Sequence, residues 1–413
     1  MLGKMINDKY YCGLDIGERS VKAGILKIKD AADPRLVGVY EHKTYGFKDN
    51  AVSNLEEFSD CIHRTVEELT KNTGVKVKEV YVGLGGALIE SRSSATVIPL
   101  IDRGNKVITR RDIKKVNDNA RLLGMHMEEE ILHDLPQYYR IDDAHTALNP
   151  LGLYGRKLGV HSLMIVVNGN SIRNITQAVH QAGYNVADVF FDSYAASQVV
   201  LSDEERKTGC ILADIGARNT TVLVFRDGVL QYSECLPAGG GSLTQHIAEK
   251  LGLPFELAEE IKRSYAVASD QDRHRDEEIL VKKEEAYIPI KRGMIYDAIR
   301  PDIEQLTEGV RAAIVRSQLR DQIKGGMTLL GGGSLLPGLI ERLDQELQIP
   351  VQLGQMKLPL RKNLSYTATF ASVVGLAQSG YKTSFHYTIS PNGHQSWTRQ
   401  FSNRVRDLYE EYF

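Results

Sequence analysis

Two short acidic motifs, Asp15-Ile16-Gly17 and Asp214-Ile215-Gly216, lie in opposite halves of the chain and constrain its fold more than any other feature. Each closes a short apolar run, Tyr10 to Leu14 in one case and Cys210 to Ala213 in the other, and each is followed by hydroxyl residues and a second β-rich run. Residues 10–30 read as a hairpin with apolar alternation, and GCILADIGARNTTVLVF echoes it. A hairpin tip of this composition offers backbone N–H groups to phosphate oxygens and a carboxylate to the water shell of Mg²⁺. Taken singly, an Asp-x-Gly is an ordinary turn. Two copies in matching contexts point to two similar half-domains clamping one nucleotide.

The chain has 413 residues, which favours two or more domains with ample cores. With 51 basic against 53 acidic side chains, the net charge of -2 excludes a bulk electrostatic case for nucleic-acid binding. Cys12, Cys61, Cys210 and Cys235 are scattered and read as small core residues in a reducing compartment, not as a zinc site or disulfide framework. The N-terminal stretch lacks the apolar core of a secretory signal, and no apolar run approaches the roughly 18 residues that span a bilayer. The expectation is a cytoplasmic protein unless something peripheral ties it to a membrane.

Leu55 to Thr73 carries apolar residues at helical spacing, and 77–86 reads as a strand ending in a glycine turn. Residues 88–164 differ in character, with a β-rich piece and a basic helix from Arg110 to Leu123, and read as an inserted subdomain; SLMIVVNG (162–169) is expected to return as a buried strand, followed by a helix through Gln181. In the second half, 243–266 is helical with a break at Gly252 and Pro254, the charged stretch from Asp270 to Glu285 is a solvated loop or exposed strand, and helix resumes over Tyr296–Arg320. After Lys382 the core pattern ends, and a polar linker from Thr383 to Ser396 leads to WTRQFSNRVRDLYEEYF.

Further glycine runs are candidates for contact with a ligand. Gly331, Gly332, Gly333 and Ser334 lie between a strand and a helix, where glycines let a flat ligand or phosphate approach the backbone and the helix N-terminus favours negative charge. Gly239, Gly240 and Gly241 precede another helix, on which Glu259, Lys262 and Arg263 share a face. That face is either a surface ion pair or a clamp for ribose or adenine. His133 reads as a core or capping histidine. The dinucleotide fingerprint and the Walker A pattern are both absent.

The set DIG…DIG…PAGGGSLT…AEEIK…GGGSLLPGL…YTATFASVVGLA resembles the actin, sugar-kinase and chaperone ATPase superfamily. Within it, ILHDLPQYYRIDD with NPLGLYGRKL, and LSDEERKTGCILADIG, are similar to FtsA, the bacterial cell-division actin homologue. The resemblance covers nearly the whole chain. It implies an α/β fold of the actin-like ATPase class, with two facing halves, ATP and Mg²⁺ in the cleft, an inserted subdomain in the first half and a C-terminal amphipathic helix. The expected units are 1–87 with 165–198 for the first half, 88–164 for the insert, and 199–235 with 305–384 for the second half. Residues 236–304 form the second half's subdomain, 385–396 a linker and 397–413 the terminal helix.

By position, Asp15, Gly17 and Ser20 fall on the family's first phosphate loop, and Asp214, Gly216 and Thr220 on its second, with Asp15 and Asp214 reaching Mg²⁺ through water. Gly239 to Gly241, Glu259, Lys262, Arg263 and Gly331 to Gly333 fall where adenosine and ribose are held. Asp192 stands where relatives carry an acid or amide that polarises the attacking water, but Asp192-Ser193 replaces their usual Glu-Pro. Arg218, where relatives have small residues, either binds the γ-phosphate or crowds the site. Phosphoryl transfer is mostly positioning, so these departures imply ATP binding with slow or negligible hydrolysis.

On a helical wheel, Trp397, Phe401, Val405, Leu408 and Tyr412 share an arc of about 80°. Such a stripe docks on its own body, pairs with a partner helix or lies in a membrane interface, and the FtsA resemblance implies the membrane. Three arginines face three acids in 396–413, so insertion must rely on apolar burial. The resemblance also implies self-assembly into filaments at the division site, other division proteins as partners, and docking of the FtsZ C-terminal peptide on 236–304. There Lys291, Arg292 and Arg300 are either contacts or a solvated face. Two alternatives share the fold: a type IV pilus adaptor resembling PilM, against which the terminal segment argues, and a small-molecule kinase, for which no substrate-binding pair stands out.

Overall fold

The computed structural model describes residues 9–29, 34–100, 106–269, 276–283, 286–356 and 368–389. The first half is built outward from β1 (Lys9–Ile16) and β2 (Ser20–Ile28), antiparallel from Lys9 opposite Ile28 to Ile16 opposite Val21. β3 (Pro34–Lys43) completes a meander, and the short ribbon β4 (Phe47–Lys48) and β5 (Ala51–Val52) leads to α1 (Leu55–Thr73). That helix starts where the Asn54 side chain accepts from the backbone N–H of Glu56 and Glu57, and stops at Gly74, whose φ of 69° suits glycine. β6 (Glu79–Leu84) then adds parallel to β1.

The chain next leaves the sheet for β7 (Ile89–Pro99), β8 (Lys106–Val107), α2 (Arg110–Gly124), β9 (Glu129–Ile141), β10 (His145–Ala147), β11 (Tyr154–Gly155) and β12 (Lys157–Asn168). A capping box between Thr109 and Asp112 opens α2. The helix covers a four-stranded sheet of order β10-β9-β12-β7, burying Val116 and Ala120 against Ile98, Tyr139 and Leu158. The buried strand expected over 162–169 is present as the end of β12, but it starts at Lys157 and pairs within the insert. β12 stays paired with β7 and β9 through Val167, so the whole strand belongs to the insert's sheet. Its apolar run is continuous because Leu163, Met164, Ile165 and Val166 are covered on both faces.

α3 (Gly169–Gln181), β13 (Asn185–Phe191) and α4 (Asp192–Val200) close the first half, whose sheet order is β13-β6-β1-β2-β3. α5 (Asp203–Thr208), with a capping box between Ser202 and Glu205, leads into β14 (Cys210–Ile215), β15 (Thr220–Arg226) and β16 (Val229–Leu236). Then come α6 (Gly240–Leu251), α7 (Phe255–Tyr265), the hairpin β17 (Glu278–Lys283) and β18 (Ala286–Lys291), α8 (Arg292–Arg316), β19 (Met327–Leu330), α9 (Leu339–Leu347), β20 (Val351–Leu353) and α10 (Ala371–Ile389). The second sheet runs β16-β15-β14-β19-β20. Each large sheet is thus a three-stranded antiparallel meander extended by two parallel strands, so the repeat extends well beyond the hairpins in which the sequence shows it.

α4 and α10 lie between the sheets. Val199 and Val200 of α4 and Val373, Val374 and Ala377 of α10 share one core with Leu26 of the first sheet and Leu212 and Leu223 of the second. α10 packs on β1, β2, β6 and α4, so its residues join the first half, and the grouping of 371–384 with the second half does not match this packing. Its backbone also continues to Ile389, into the segment read as a linker. Glycine permits this closeness: a Cβ on Gly375 would lie 2.1 Å from the Ala195 carbonyl oxygen, and one on Gly13 2.1 Å from that of Val373. Gly375→Ala must therefore push α10 off α4. It is expected to lower stability by about 1–3 kcal/mol, read as a lower urea midpoint by circular dichroism.

Candidate functional site

The two acidic motifs fold alike. In each, four residues separate the last strand pair, Ile16 with Val21 and Ile215 with Thr220. Each turn closes with one backbone bond, Gly17 N–H to Ser20 O at 3.2 Å and Gly216 N–H to Asn219 O at 2.9 Å. The first turn is braced by Thr44, just past the end of β3, whose hydroxyl donates to Gly17 O at 2.6 Å. The second is braced by the glycine run: Gly240 N–H reaches Gly216 O at 2.9 Å and Gly241 N–H reaches Ala217 O at 2.6 Å. Thr220 is fully buried and its hydroxyl donates to Ala238 O at 2.6 Å, so this side chain holds the glycine run in place.

The glycines divide by role. A Cβ on Gly239 or Gly241 would come within 2.6 or 2.8 Å of Ala217 O, and one on Gly331 (φ +80°) within 2.3 Å of Ile215 O. A Cβ on Gly333 would meet Ile215 Cγ2 at 2.4 Å. These four are needed for backbone packing against the second turn. Gly332 faces open space, and a Cβ on Gly240 would meet nothing nearer than Lys262 Nζ at 3.6 Å. Those two line room that a flat ligand can occupy.

The wall beside them is cationic. Glu259 is 4% exposed and pairs with Lys262 at 2.7 Å, Arg263 at 2.8 Å and Arg19 of the first turn at 3.4 Å. Thr244 donates to it at 2.5 Å, and Lys262 also donates to Gly240 O at 2.6 Å. Burial pushes the Glu259 carboxyl up, but the bonds from Lys262 and Thr244 outweigh it and hold it below the usual range. Burial lowers the Lys262 ammonium, with Glu259 opposing. Three cations around one carboxylate leave a positive excess suited to an anion.

Three carboxylates form the floor. Asp15 ends β1 and accepts from the Ser372 hydroxyl at 2.5 Å. Asp214 ends β14 and accepts from the Ser193 hydroxyl at 2.9 Å. Asp192 opens α4, accepts from the Ser193 hydroxyl at 3.0 Å and backbone N–H, and presses on Gly85, where a Cβ would lie 2.0 Å from its Oδ2. Asp15 is buried, while Asp192 and Asp214 keep a small part of their surface open to the cleft. Enclosure, then the charges of Asp15 and Asp214, push the Asp192 carboxyl well above its usual range. Enclosure also raises Asp214, against the Ser193 bond. Among the described residues no three His, Cys, Asp or Glu side chains converge closely enough to ligate a metal directly.

Arg218 reaches across the cleft to Asp49 at 2.5 Å and Glu18 at 3.6 Å. Lys291 is the exposed N-cap of α8, Arg292 is mostly buried and pairs with Glu277 at 3.4 Å, and Arg300, about 13 Å along the helix, pairs with Glu304 at 3.9 Å. Trp397, Phe401, Val405, Leu408 and Tyr412 lie outside the described residues. His133 accepts from Phe191 N–H at 3.0 Å, a core role. Sequence reading missed Arg19, Ser193, Thr244 and Ser372. Arg19 was findable, because it holds the same place in its turn as Arg218; the serines carry no local signal.

Two sheets of one strand order, each presenting an acidic hairpin turn to a shared cleft, define the actin-like ATPase fold. Comparison with known proteins agrees. Residues 86–166 match the SHS2 domain inserted in FtsA, and residues 211–375 match the family "Cell division protein FtsA". A cell division protein FtsA from Pseudomonas aeruginosa is 30% identical over 354 residues, covering 85% of this chain and 83% of that protein. The chain belongs to the FtsA family of cell division proteins. Among solved structures, a PilM–PilN type IV pilus biogenesis complex matches with a TM-score of 0.67 at 20% identity, covering 90% of this chain and 98% of that one. MreB5 of Spiroplasma citri bound to ADP matches with 0.52 at 12%, covering 93% and 99%. These two likenesses speak to the fold alone; the family decides for the division protein over the pilus adaptor and the kinase. No described helix is long and apolar enough to cross a membrane.

The floor carboxylates make a pH prediction. The folded protein holds the Asp192 proton to higher pH than the unfolded chain, so nucleotide-free protein loses stability as pH rises above 3.8, until the folded carboxyl itself ionises. Asp192→Asn keeps an acceptor for Ser193 and removes this titration. Its melting temperature, measured without metal or nucleotide, is expected to exceed that of the unsubstituted protein at neutral pH and to converge with it near pH ~4.

Proposed function

We propose that this chain is a nucleotide-dependent, actin-like scaffold of bacterial cell division, which binds ATP with Mg²⁺ in the cleft and assembles with copies of itself on a membrane surface. The observation that carries the reading is the cleft itself, with a cationic wall at Glu259, Lys262 and Arg19 facing a floor of Asp15, Asp192 and Asp214. Lys262, Gly240 and Gly332 would offer the nucleoside a wall with room beside it, Glu259 would hold Lys262 and Arg263 along that wall, and N–H groups of the two turns would meet the phosphates. Asp15 and Asp214 would hold Mg²⁺ through water; the cation would neutralise phosphate charge. The ADP-bound MreB5 of the same fold lends support.

Enclosure and the charges of Asp15 and Asp214 push the Asp192 carboxyl well above its usual range, which supports slow hydrolysis, since a water-activating base must be ionised. Residues 397–413 supply the membrane contact, through Trp397, Phe401, Val405, Leu408 and Tyr412. Five apolar side chains at roughly 1.5–3 kcal/mol each set a ceiling that ordering costs reduce, so single copies bind reversibly and assemblies firmly. Through exposed Lys291 and Arg300 the 236–304 region takes the acidic C-terminal peptide of FtsZ, and other division proteins join the assembly.

Co-sedimentation with liposomes, with and without ATP, tests the scaffold. Full-length protein is expected in the pellet, more so with ATP, while a chain ending at Ile389, the last described residue of α10, stays in the supernatant. Equal behaviour of the two chains removes the membrane role from the terminal segment. Lys262→Ala is expected to weaken ATP binding about tenfold by calorimetry, because it removes the cation beside Gly240 while Glu259 keeps Arg19 and Arg263.

A further inference from the structure

The two turns, Gly17-Glu18-Arg19-Ser20 and Gly216-Ala217-Arg218-Asn219, carry arginine at the same third position. Each guanidinium crosses to the opposite half: Arg19 to Glu259 on α7 at 3.4 Å, Arg218 to Asp49 at 2.5 Å and Glu18 at 3.6 Å. The two exchanges sit at different ends of the cleft. Arg19 meets the wall of Glu259 and Lys262. Next to Arg218, Asn219 lies against Gly86, where a Cβ would be 2.7 Å from its Nδ2, and the adjoining Gly85 carries Asp192. Arg218 is therefore at the Asp192 end.

Both pairs are exchangeable. When Arg19 leaves, Glu259 keeps Lys262 and Arg263. When Arg218 leaves, Asp49 is 59% exposed and returns to water, while Glu18 keeps the Asn50 N–H at 2.8 Å. No buried charge is stranded, so an arriving phosphate, which accepts charge-assisted bonds from a planar guanidinium, displaces the carboxylates at low cost.

Resting on the nucleotide reading above, we infer that Arg218 is the residue that reads the terminal phosphate of a nucleoside triphosphate, leaving Asp49 to do so, whereas Arg19 binds the inner phosphates shared by tri- and diphosphate. Nucleotide state thereby controls one cross-cleft tie and not the other. With ATP both arginines are drawn onto phosphate. With ADP only Arg19 is, and Arg218 stays on Asp49.

The test is titration calorimetry of the full chain with ATP and with ADP, both in excess Mg²⁺. Arg218→Ala is expected to raise the Kd for ATP about tenfold and that for ADP by less than about twofold, with Arg218→Lys in between. Arg19→Ala is expected to weaken both nucleotides alike. Asp49→Asn, which frees Arg218 without a change of shape, is expected to tighten ATP severalfold and leave ADP unchanged, opposite in sign to any loss through damaged structure. Equal weakening of ATP and ADP by Arg218→Ala, or weaker ATP binding by Asp49→Asn, overturns the inference and leaves Arg218 a brace between the halves. If the unsubstituted protein binds neither nucleotide, the nucleotide reading itself falls and takes this one with it.

Discussion

Three carboxylates enclosed where the two sheets meet, at the ends of β1 and β14 and the start of α4, set the terms for the rest of the molecule. Like charges this close and this far from bulk water repel, and a chain that folds around them must supply donors or keep a proton. Ser193 bridges Asp192 and Asp214, and Ser372 caps Asp15 from α10. The two interdomain helices thus begin at the floor; α10 crosses α4 closely at Gly375 and lies against β1 at Gly13. The three carboxylates are thus held by hydroxyl donors and by a raised Asp192 carboxyl, with no cation paired to Asp192 among the described contacts.

Above this floor the two halves are held by exchanged ion pairs. Arg19 with Glu259, Arg218 with Asp49, and Lys43 with Glu256 all cross the cleft. Exposed pairs of this kind contribute little individually. Their consequence is geometric: an anion entering the cleft competes with carboxylates for the same guanidinium groups, so binding and the relative placement of the halves are coupled by direct competition. The insert is also tied to the second half. The Gln137 side chain donates to Gln231 O at 2.8 Å, and the Ser91 hydroxyl donates to Ser233 O at 2.7 Å. A cavity of about 270 Å³ lined by Glu90, Ser233 and Cys235 lies at that junction. β16 pairs with β15, which follows the second turn, so the insert rests on the same meander that carries that turn.

Much of the site was legible in the chain because its chemistry is local. An Asp-x-Gly between two β-rich runs specifies its own turn, and α1 was bounded to the residue by Asn54 and Gly74. Glu259, Lys262 and Arg263 share a face by helical spacing alone. What was not legible involved partners distant in sequence. Ser372 caps Asp15 across 357 positions, and nothing in YTATFASVV announces it. The buried strand read over 162–169 is there as the end of β12, but its partners β7 and β9 were not legible, because an apolar run is the same whichever sheet it joins.

By itself, then, the sequence determined the two turns, the glycine loops, the insert's outline and the family, since each rests on residues adjacent along the chain or one helical turn apart. Only the tertiary structure decided that the repeat spans two whole five-stranded sheets, that α10 returns to the first half, and that Gly239 and Gly241 serve the backbone of the second turn while Gly332 faces open space. It alone decided that Arg19 and Arg218 trade partners across the cleft. Those outcomes depend on which surfaces meet once burial has closed the core, and a meeting of surfaces leaves no pattern in the residues on either side of it.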